Sequence, residues 1–415
     1  MLILKQASQI KKVYQSKYWL SMPRSLQSYA IDKSCEQLTE VEIGISGRCN
    51  AGCVDCERWT IVNQSELYVN KNNPALNKII DRATAKQLFQ KIKRLKNVLF
   101  IGTTGDPLSH PELDLICQDI IDMYPKVRIQ MHTNGSLGKE NVWKNLAGMK
   151  NVHIEFAIDG LEDTNHIYRR NVKWDSVMRN AKLFIETGGN AEWKFVAFPH
   201  NRHQIPRARK MSKELGFQNF NLVSRHSPTV WMDNLILRQS KNKLPTQTYD
   251  GSTKNYVDYK KILEDNFEKF VQSNGMIEPE CASNFRYETD PKKIRQKNTP
   301  TKIFVEADGT VWPCCFIAVL DFYANDVIGS HWQDKKKFFT DKYGENFNNL
   351  FHNQLENILK TELFPPYITK GFTDLKNAQA DDIMPACIIN CGKCKFYDPI
   401  GSETDHSSEF FMHRN

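Results

Sequence analysis

From residue 41 to residue 224, short apolar runs alternate with longer stretches in which apolar residues recur three and four positions apart. The runs at 41–46, 98–101, 128–132, 152–157, 193–198 and 220–223 are rich in β-branched and aromatic residues and predict strands. Between them, Leu113, Ile116, Ile120 and Ile121 fall on one face of a helix, and Val177, Ala181, Phe184 and Ile185 on one face of another. Strand–helix alternation repeated this often implies an α/β fold built on a parallel sheet. Six such units can close part-way into a barrel or form an open doubly wound sheet, and periodicity does not choose between them.

Two stretches interrupt the pattern. Residues 60–80 are largely polar, with Asn70-Lys71-Asn72-Asn73-Pro74 as the turn. Residues 226–275 contain a Pro-, Thr- and Gly-bearing loop, followed by a helical pattern from 256 to 272. Beyond 276 a separate small domain is expected. Within it, 301–305 and 311–313 flank Asp308-Gly309, a hairpin signal suited to a tight turn with positive φ at both central residues. Such a turn folds 311–313 back along 303–305, so that Cys314 emerges at the strand end. Leu350, Phe351, Leu355, Ile358 and Leu359 follow at helical spacing. The expected organisation is an N-terminal extension over 1–37, a main α/β unit over 38–275 with insertions near 60–80 and 226–275, and a C-terminal unit over 276–415.

The chain has 415 residues, of which 40% are hydrophobic, enough for a sizeable core, and a formal net charge of +8. That charge is mild for the length, and no long Lys/Arg run marks a nucleic-acid arm. The apolar N-terminal Met-Leu-Ile-Leu is too short for a signal peptide, and no run approaches the roughly 18 apolar residues of a membrane span. A cytoplasmic protein without a membrane partner is expected. Eleven cysteines in such a chain are to be read first as metal ligands, because disulfides are disfavoured there.

Cys49, Cys53 and Cys56 form C-x-x-x-C-x-x-C directly after the first strand. Ligands bind at that end of a parallel sheet. Three thiolates fill three corners of a 4Fe–4S cluster and leave one iron open. A structural zinc site would ask for a fourth Cys or His close by, and none follows. After the second strand comes Gly102-Thr103-Thr104-Gly105-Asp106-Pro107, after the third His132-Thr133-Asn134-Gly135, and after the fourth Ala157-Ile158-Asp159-Gly160, with Arg169 and Arg170 beyond. Small polar groups at strand ends can bind a ribose or carboxylate, and a guanidinium can grip a carboxylate with two bonds.

This constellation resembles the radical S-adenosylmethionine superfamily, over nearly the whole chain from about residue 38. The resemblance implies a partial (βα)6 barrel and a 4Fe–4S cluster on Cys49, Cys53 and Cys56, whose open iron chelates S-adenosylmethionine. Reductive cleavage would then give a 5′-deoxyadenosyl radical that abstracts a hydrogen atom from substrate. The 102–107 stretch resembles the family's G-G-E-P, with Thr104 for the first Gly and Asp106 for Glu. Residues 157–160 resemble S-I-D-G with Ala157 for Ser. Asp55 stands where an aromatic residue is usual. By the same resemblance Thr104, Gly105, Asp106, Asn134 and Asp159 contact the cosubstrate, and Arg169, or Arg170 beside it, meets its carboxylate. The C-terminal cysteines resemble the auxiliary-cluster domains called SPASM and twitch, which implies a small iron–sulfur domain with a second 4Fe–4S cluster. Cys281 and Cys314 would supply two ligands and Cys387, Cys391 and Cys394 the others, with zinc on the same thiolates as the rival. An electron donor such as flavodoxin or ferredoxin and a peptide, protein or small-molecule substrate follow from the resemblance. An RNA-modifying enzyme and a non-enzymatic zinc protein are the competing readings.

Overall fold

A computed structural model describes residues 38–224, apart from 54–55, 57, 64–65, 70–73, 102–104 and 199, and residues 301–364, apart from 314, 316–317, 319–335, 360 and 362. The main chain of β1 (Leu38–Ile43), β4 (Asn97–Phe100), β5 (Arg128–Thr133), β6 (Val152–Ala157), β7 (Asn190–Ala197) and β8 (Asn219–Ser224) runs parallel, each strand paired with the next. These are the six strands expected from the sequence, each within three residues at either end. Between β4 and β8 every strand is followed by a helical segment: α2 (Leu113–Met123), α3 (Glu140–Ala147), the short α4 (Asn165–Tyr168) with α5 (Trp174–Glu186), and α6 (Ile205–Glu214). Helix α1 (Arg82–Gln90) precedes β4 and starts on Asp81, whose carboxylate accepts the Thr84 N–H at 3.0 Å.

Alternation along the strands decides what each face of the sheet does. On β6, Ile154 and Phe156 are fully buried. Phe156 stacks on Trp143 of α3 at 5.4 Å and meets Phe184 of α5 at 6.2 Å. Ile129, Met131, Trp193 and Phe195 share this burial. Helices α1 and α2, α2 and α3, and α3 and α5 are neighbours in the layer that covers this face. The intervening positions Glu42, His132, Glu155, Lys194 and Asn221 point to the opposite face, which is polar. There Glu155 is ion-paired with Lys194 at 3.3 Å, His132 Nε2 lies 3.4 Å from the same carboxylate, and Asn221 donates to it at 3.1 Å.

Two differences from the sequence reading concern strands. The polar stretch after the cysteines contains an antiparallel pair, β2 (Trp59–Asn63) and β3 (Glu66–Val69), where only a turn was expected. The hairpin read with the C-terminal unit is part of the main sheet: β9 (Thr301–Val305) lies parallel to β1, with Val41 opposite Ile303 and Ile43 opposite Val305. β10 (Val311–Trp312) folds back on it as an antiparallel hairpin, Val311 against Val305 and Trp312 against Phe304. The sheet order is β10-β9-β1-β4-β5-β6-β7-β8, so the sheet is mostly parallel and open, an α/β partial barrel.

The hairpin turn is not the two-residue type expected. Gly309 has φ +84°, whereas Asp308 does not have positive φ. Gly309 N–H donates to the Glu306 carbonyl at 2.9 Å, and Glu306 N–H to the Thr310 carbonyl at 2.9 Å. The Asp308 carboxylate accepts from Thr310 N–H at 3.0 Å and from its hydroxyl at 2.7 Å, which favours this longer loop. Further on, residues 336–343 are helical and a short helix spans Leu355–Leu359. Leu350 and Phe351, expected on that helix, lie in the turn before it. Among the described residues no helix is long and apolar enough to cross a membrane.

Candidate cysteine-cluster site

The thiol loop leaves β1 at its C-terminal end and is tied to two other strand ends and to the segment after α4. Asp106 N–H donates to the Arg48 carbonyl at 2.8 Å, which fixes the loop after β4. Gly105 runs so close to this chain that a Cβ there would lie 1.6 Å from the Ser46 carbonyl oxygen. Gly52 N–H donates to the Arg170 carbonyl at 2.8 Å, which brings in the segment after α4. From β5, the Asn134 amide donates to the Asn50 side-chain oxygen at 3.0 Å. Asn50 donates to Ser136 Oγ at 2.9 Å, and Ser136 Oγ donates to Asn134 Oδ1 at 2.6 Å, closing a ring of three polar side chains.

Cys53 is buried, and Cys49 and Cys56 are half-buried. The Ala51 N–H points at Cys49 Sγ at 3.4 Å, and Asn134 Nδ2 lies 3.6 Å from the same sulfur. Arg169 Nη1 lies 3.8 Å from Cys53 Sγ. Burial, then the Asp106 carboxylate, push the Cys49 thiol up to about 12, and burial also raises Cys53 against the pull of Arg169. Thiols in such a place ionise only beside a cation such as a metal centre, and the N–H groups around them are matched to thiolate acceptors. The donor set therefore suits an iron–sulfur cluster. Among the described residues, no three Cys, His, Asp or Glu side chains converge on a single-ion centre.

The expected cosubstrate residues gather around this loop in different roles. Asp106 is buried and accepts the Leu108 N–H at 3.0 Å, the Asn134 N–H at 2.8 Å and the Thr133 hydroxyl at 2.8 Å. Its carboxylate is thus turned into the fold, where it joins the ends of β4 and β5. Burial raises its pKa and these donors oppose the rise. Asp159 is fully buried and accepts Arg169 Nε at 2.7 Å and the Val196 N–H at 2.8 Å. Burial works against the Arg169 cation, but Asp159 and Cys53 outweigh it and hold its pKa well above the ordinary value. Arg169 is the member of the Arg169–Arg170 pair whose guanidinium reaches the thiols. Asn134 and Gly105 are at the site. Thr104 lies outside the described residues, as do Cys281, Cys314, Cys387, Cys391 and Cys394. Cys117 is a core residue of α2.

The sequence reading passed over Asn50, Ser136 and Arg58. Arg58 is buried and donates to the Gly47 carbonyl at 2.6 Å and to Asn77 Oδ1 at 3.1 Å, clamping the far side of the loop. Its signal was an arginine two residues after the third cysteine, and that of Ser136 a serine two residues after a strand-end asparagine.

An open, mostly parallel sheet with three thiols on its first C-terminal loop, braced by the next strand ends, defines an α/β protein with a cysteine-bearing loop where such folds bind ligands. Residues 43–208 match the family model described as the Radical SAM superfamily. Residues 43–208 therefore form a radical S-adenosylmethionine domain, and the chain that carries it is an enzyme. No curated protein matches it. Among solved structures it is similar to Streptococcus suis SuiB bound to precursor peptide SuiA, at 14% identity and TM-score 0.46 over 83% of this chain and 70% of that one. It is also similar to polyhistidine-tagged anSMEcpe with bound AdoMet, at 18% identity and TM-score 0.45 over 80% and 81%. A third similar structure is BtrN in complex with AdoMet and 2-DOIA, at 13% identity and TM-score 0.36 over 84% and 92%. At these TM-scores they add nothing to what the topology and the family match establish.

Proposed function

We propose that the chain cleaves S-adenosylmethionine reductively at a 4Fe–4S cluster on Cys49, Cys53 and Cys56, and that the resulting radical abstracts a hydrogen atom from a peptide or protein. The observation that carries this reading is the three-thiol loop itself: it sits at the C-terminal edge of β1, inside the family match, with N–H donors directed at two of its sulfurs. When bound, the cluster would supply the electron, and ligation by three thiolates would leave one iron open to the cosubstrate. The chain's own residues fix the geometry. Asp106 orders the ends of β4 and β5, and the Asn50–Asn134–Ser136 ring holds the loop against β5. Thr104 and Gly105 would meet the cosubstrate through their backbone, and Asn134, Asp159 and Arg169 would complete its surroundings. The peptide or protein substrate rests on the sequence resemblance to auxiliary-cluster maturases, as do a flavodoxin or ferredoxin donor and a second 4Fe–4S cluster on Cys281, Cys314 and two of Cys387, Cys391 and Cys394.

The test is made on the full chain, reconstituted without oxygen. Reduced protein should form 5′-deoxyadenosine and methionine from S-adenosylmethionine, slowly, without added substrate. Changing Cys49, Cys53 and Cys56 together to Ala should abolish that product and remove about four irons, the content of one cluster. A triple variant that keeps all its iron overturns the assignment. Stoichiometric zinc without acid-labile sulfide in that variant overturns the second cluster alone.

A further inference from the structure

Three N–H groups are directed at the thiol sulfurs, and two of them come from side chains that are themselves held from behind. Arg169 Nη1 faces Cys53 Sγ at 3.8 Å while its Nε is bonded to Asp159 Oδ2 at 2.7 Å. Asp159 cannot turn away, because its other oxygen accepts the Val196 N–H at 2.8 Å and its backbone N–H donates to Asn165 Oδ1 at 2.9 Å. Asn134 Nδ2 lies 3.6 Å from Cys49 Sγ, and its amide oxygen is fixed by the Ser136 N–H at 2.9 Å and the Ser136 hydroxyl at 2.6 Å. A guanidinium free to take a carboxylate with its whole fork would not have Nε and Nη1 committed in this way.

We propose that Arg169, anchored by Asp159, and Asn134, anchored by Asn50 and Ser136, are positioning residues that set the reduction potential of the cluster on Cys49, Cys53 and Cys56, and that the Cys53-facing edge of Arg169 serves the sulfur and not the cosubstrate's carboxylate. The inference rests on the cluster reading above. One-electron reduction adds negative charge to the cluster and its thiolates. A cation beside one sulfur and amide dipoles at another favour the reduced form over the oxidised one, and screening is weak in a buried site. Removing them therefore lowers the potential. Arg169 contributes a full charge and Asn134 only a dipole, so their effects should differ in size. Lysine keeps the charge but not the planar fork that reaches Asp159 and Cys53 together.

A purely structural ion pair would behave differently. Its loss would reduce stability or iron content without moving the potential of the clusters that remain. The measurement is a redox titration followed by electron paramagnetic resonance on the full chain, without S-adenosylmethionine. The relevant signal is the one that the Cys49, Cys53 and Cys56 triple variant lacks. Arg169→Gln should lower its midpoint by about 59 mV or more, a tenfold change in the reduced-to-oxidised ratio for one electron. Asn134→Ala should lower it by less, and Arg169→Lys should stay nearest the parent. Full iron and sulfide with an unmoved midpoint in both Arg169→Gln and Asn134→Ala overturns the proposal. So does an unmoved midpoint in Arg169→Gln with weakened S-adenosylmethionine binding, which assigns the guanidinium to the cosubstrate. Variants that fold by circular dichroism but retain no cluster also overturn it, in favour of a role in assembly alone. A parent chain that loads no iron would instead sink the cluster reading itself.

Discussion

Gly105 has no room for a methyl group, because the Ser46 carbonyl oxygen would lie 1.6 Å from its Cβ. Backbone on backbone cannot yield as a flexible side chain can. Gly105→Ala should therefore cost about 1–3 kcal/mol in chemical denaturation, the scale of overpacking, and should loosen iron retention because the strain falls on the thiol loop. Asp106 tests the same junction by its chemistry. Asp106→Ala leaves the Thr133 hydroxyl and two backbone N–H groups without their acceptor. A loss of about 3 kcal/mol is expected, together with a weakened Cys49 environment, since Asn134 would lose its backbone anchor. An unchanged unfolding midpoint would sink that account. At this scale the sequence showed residue types and left partners hidden. The thiols, Asp106, Asn134 and Asp159 could be placed after strands from the sequence, and Arg169 a few residues further on. That Asp106 faces inward, and that Arg169 binds Asp159, depends on pairings between residues many positions apart, such as Asp106 with Thr133 and Asp159 with Val196.

Elements are joined by fewer contacts, and one joint responds to acid. Arg82 of α1 makes two bonds to Asp119 of α2, at 2.6 and 3.0 Å, and Lys86 adds a third contact at 3.3 Å. The Arg82 hydrogen bond holds the Asp119 carboxyl below its ordinary value. The contribution of a depressed carboxylate is present above the unfolded pKa, about 3.9, and is lost as pH falls through the folded value. Stability should accordingly fall on acidification below about pH 4, and Asp119→Asn should flatten that limb while leaving neutral-pH activity intact. Because Arg82 and Lys86 are exposed, added salt should shrink the difference between the two proteins. Parallel acid limbs for both proteins would refute it. The helices and strands themselves were legible because burial on one face imposes a period. Leu113, Ile116 and Ile120 are all buried against the sheet, as their spacing required. β2 and β3 pair with each other in a two-stranded sheet apart from the main one, outside the strand–helix alternation that made the other strands readable. The hairpin itself was readable from its apolar flanks, but its turn, and with it the pairing of Val311 with Val305, was not, because the Asp308 side chain bonds forward to Thr310.

The whole molecule is held together at a seam that the sequence does not advertise. β9 lies beside β1, although residues 44–300 separate them in the chain. Parallel pairing across so long a connection leaves no local signal, which is why the hairpin read as part of a separate unit. Ile303, Phe304 and Val305 are wholly buried. Across the seam the Lys302 ammonium pairs with Glu42 and lies 3.7 Å from Glu40. Burial disfavours that ammonium, but Glu42 outweighs burial, with Cys315 and Glu40 adding to it, so the pKa of Lys302 is raised. Lysine at this position is therefore a charge the fold has compensated, and removing it strands buried carboxylates. Lys302→Met should destabilise the protein by about 3–5 kcal/mol, the usual scale for orphaning one partner of a buried pair. The double change Lys302→Met with Glu42→Gln should recover most of the loss, since it removes the stranded charge as well. Equal destabilisation by the single and the double variant would show that Lys302 acts by packing alone. The same seam fixes where the chain can be cut. A fragment of residues 276–415 takes β9 away from β1 and exposes Ile303 and Val305 to water. It should be aggregated or unfolded by circular dichroism and amide hydrogen exchange, even with all five C-terminal candidate ligands present. A soluble, cooperatively unfolding fragment would mean that β9 does not depend on β1, and that the C-terminal unit folds alone.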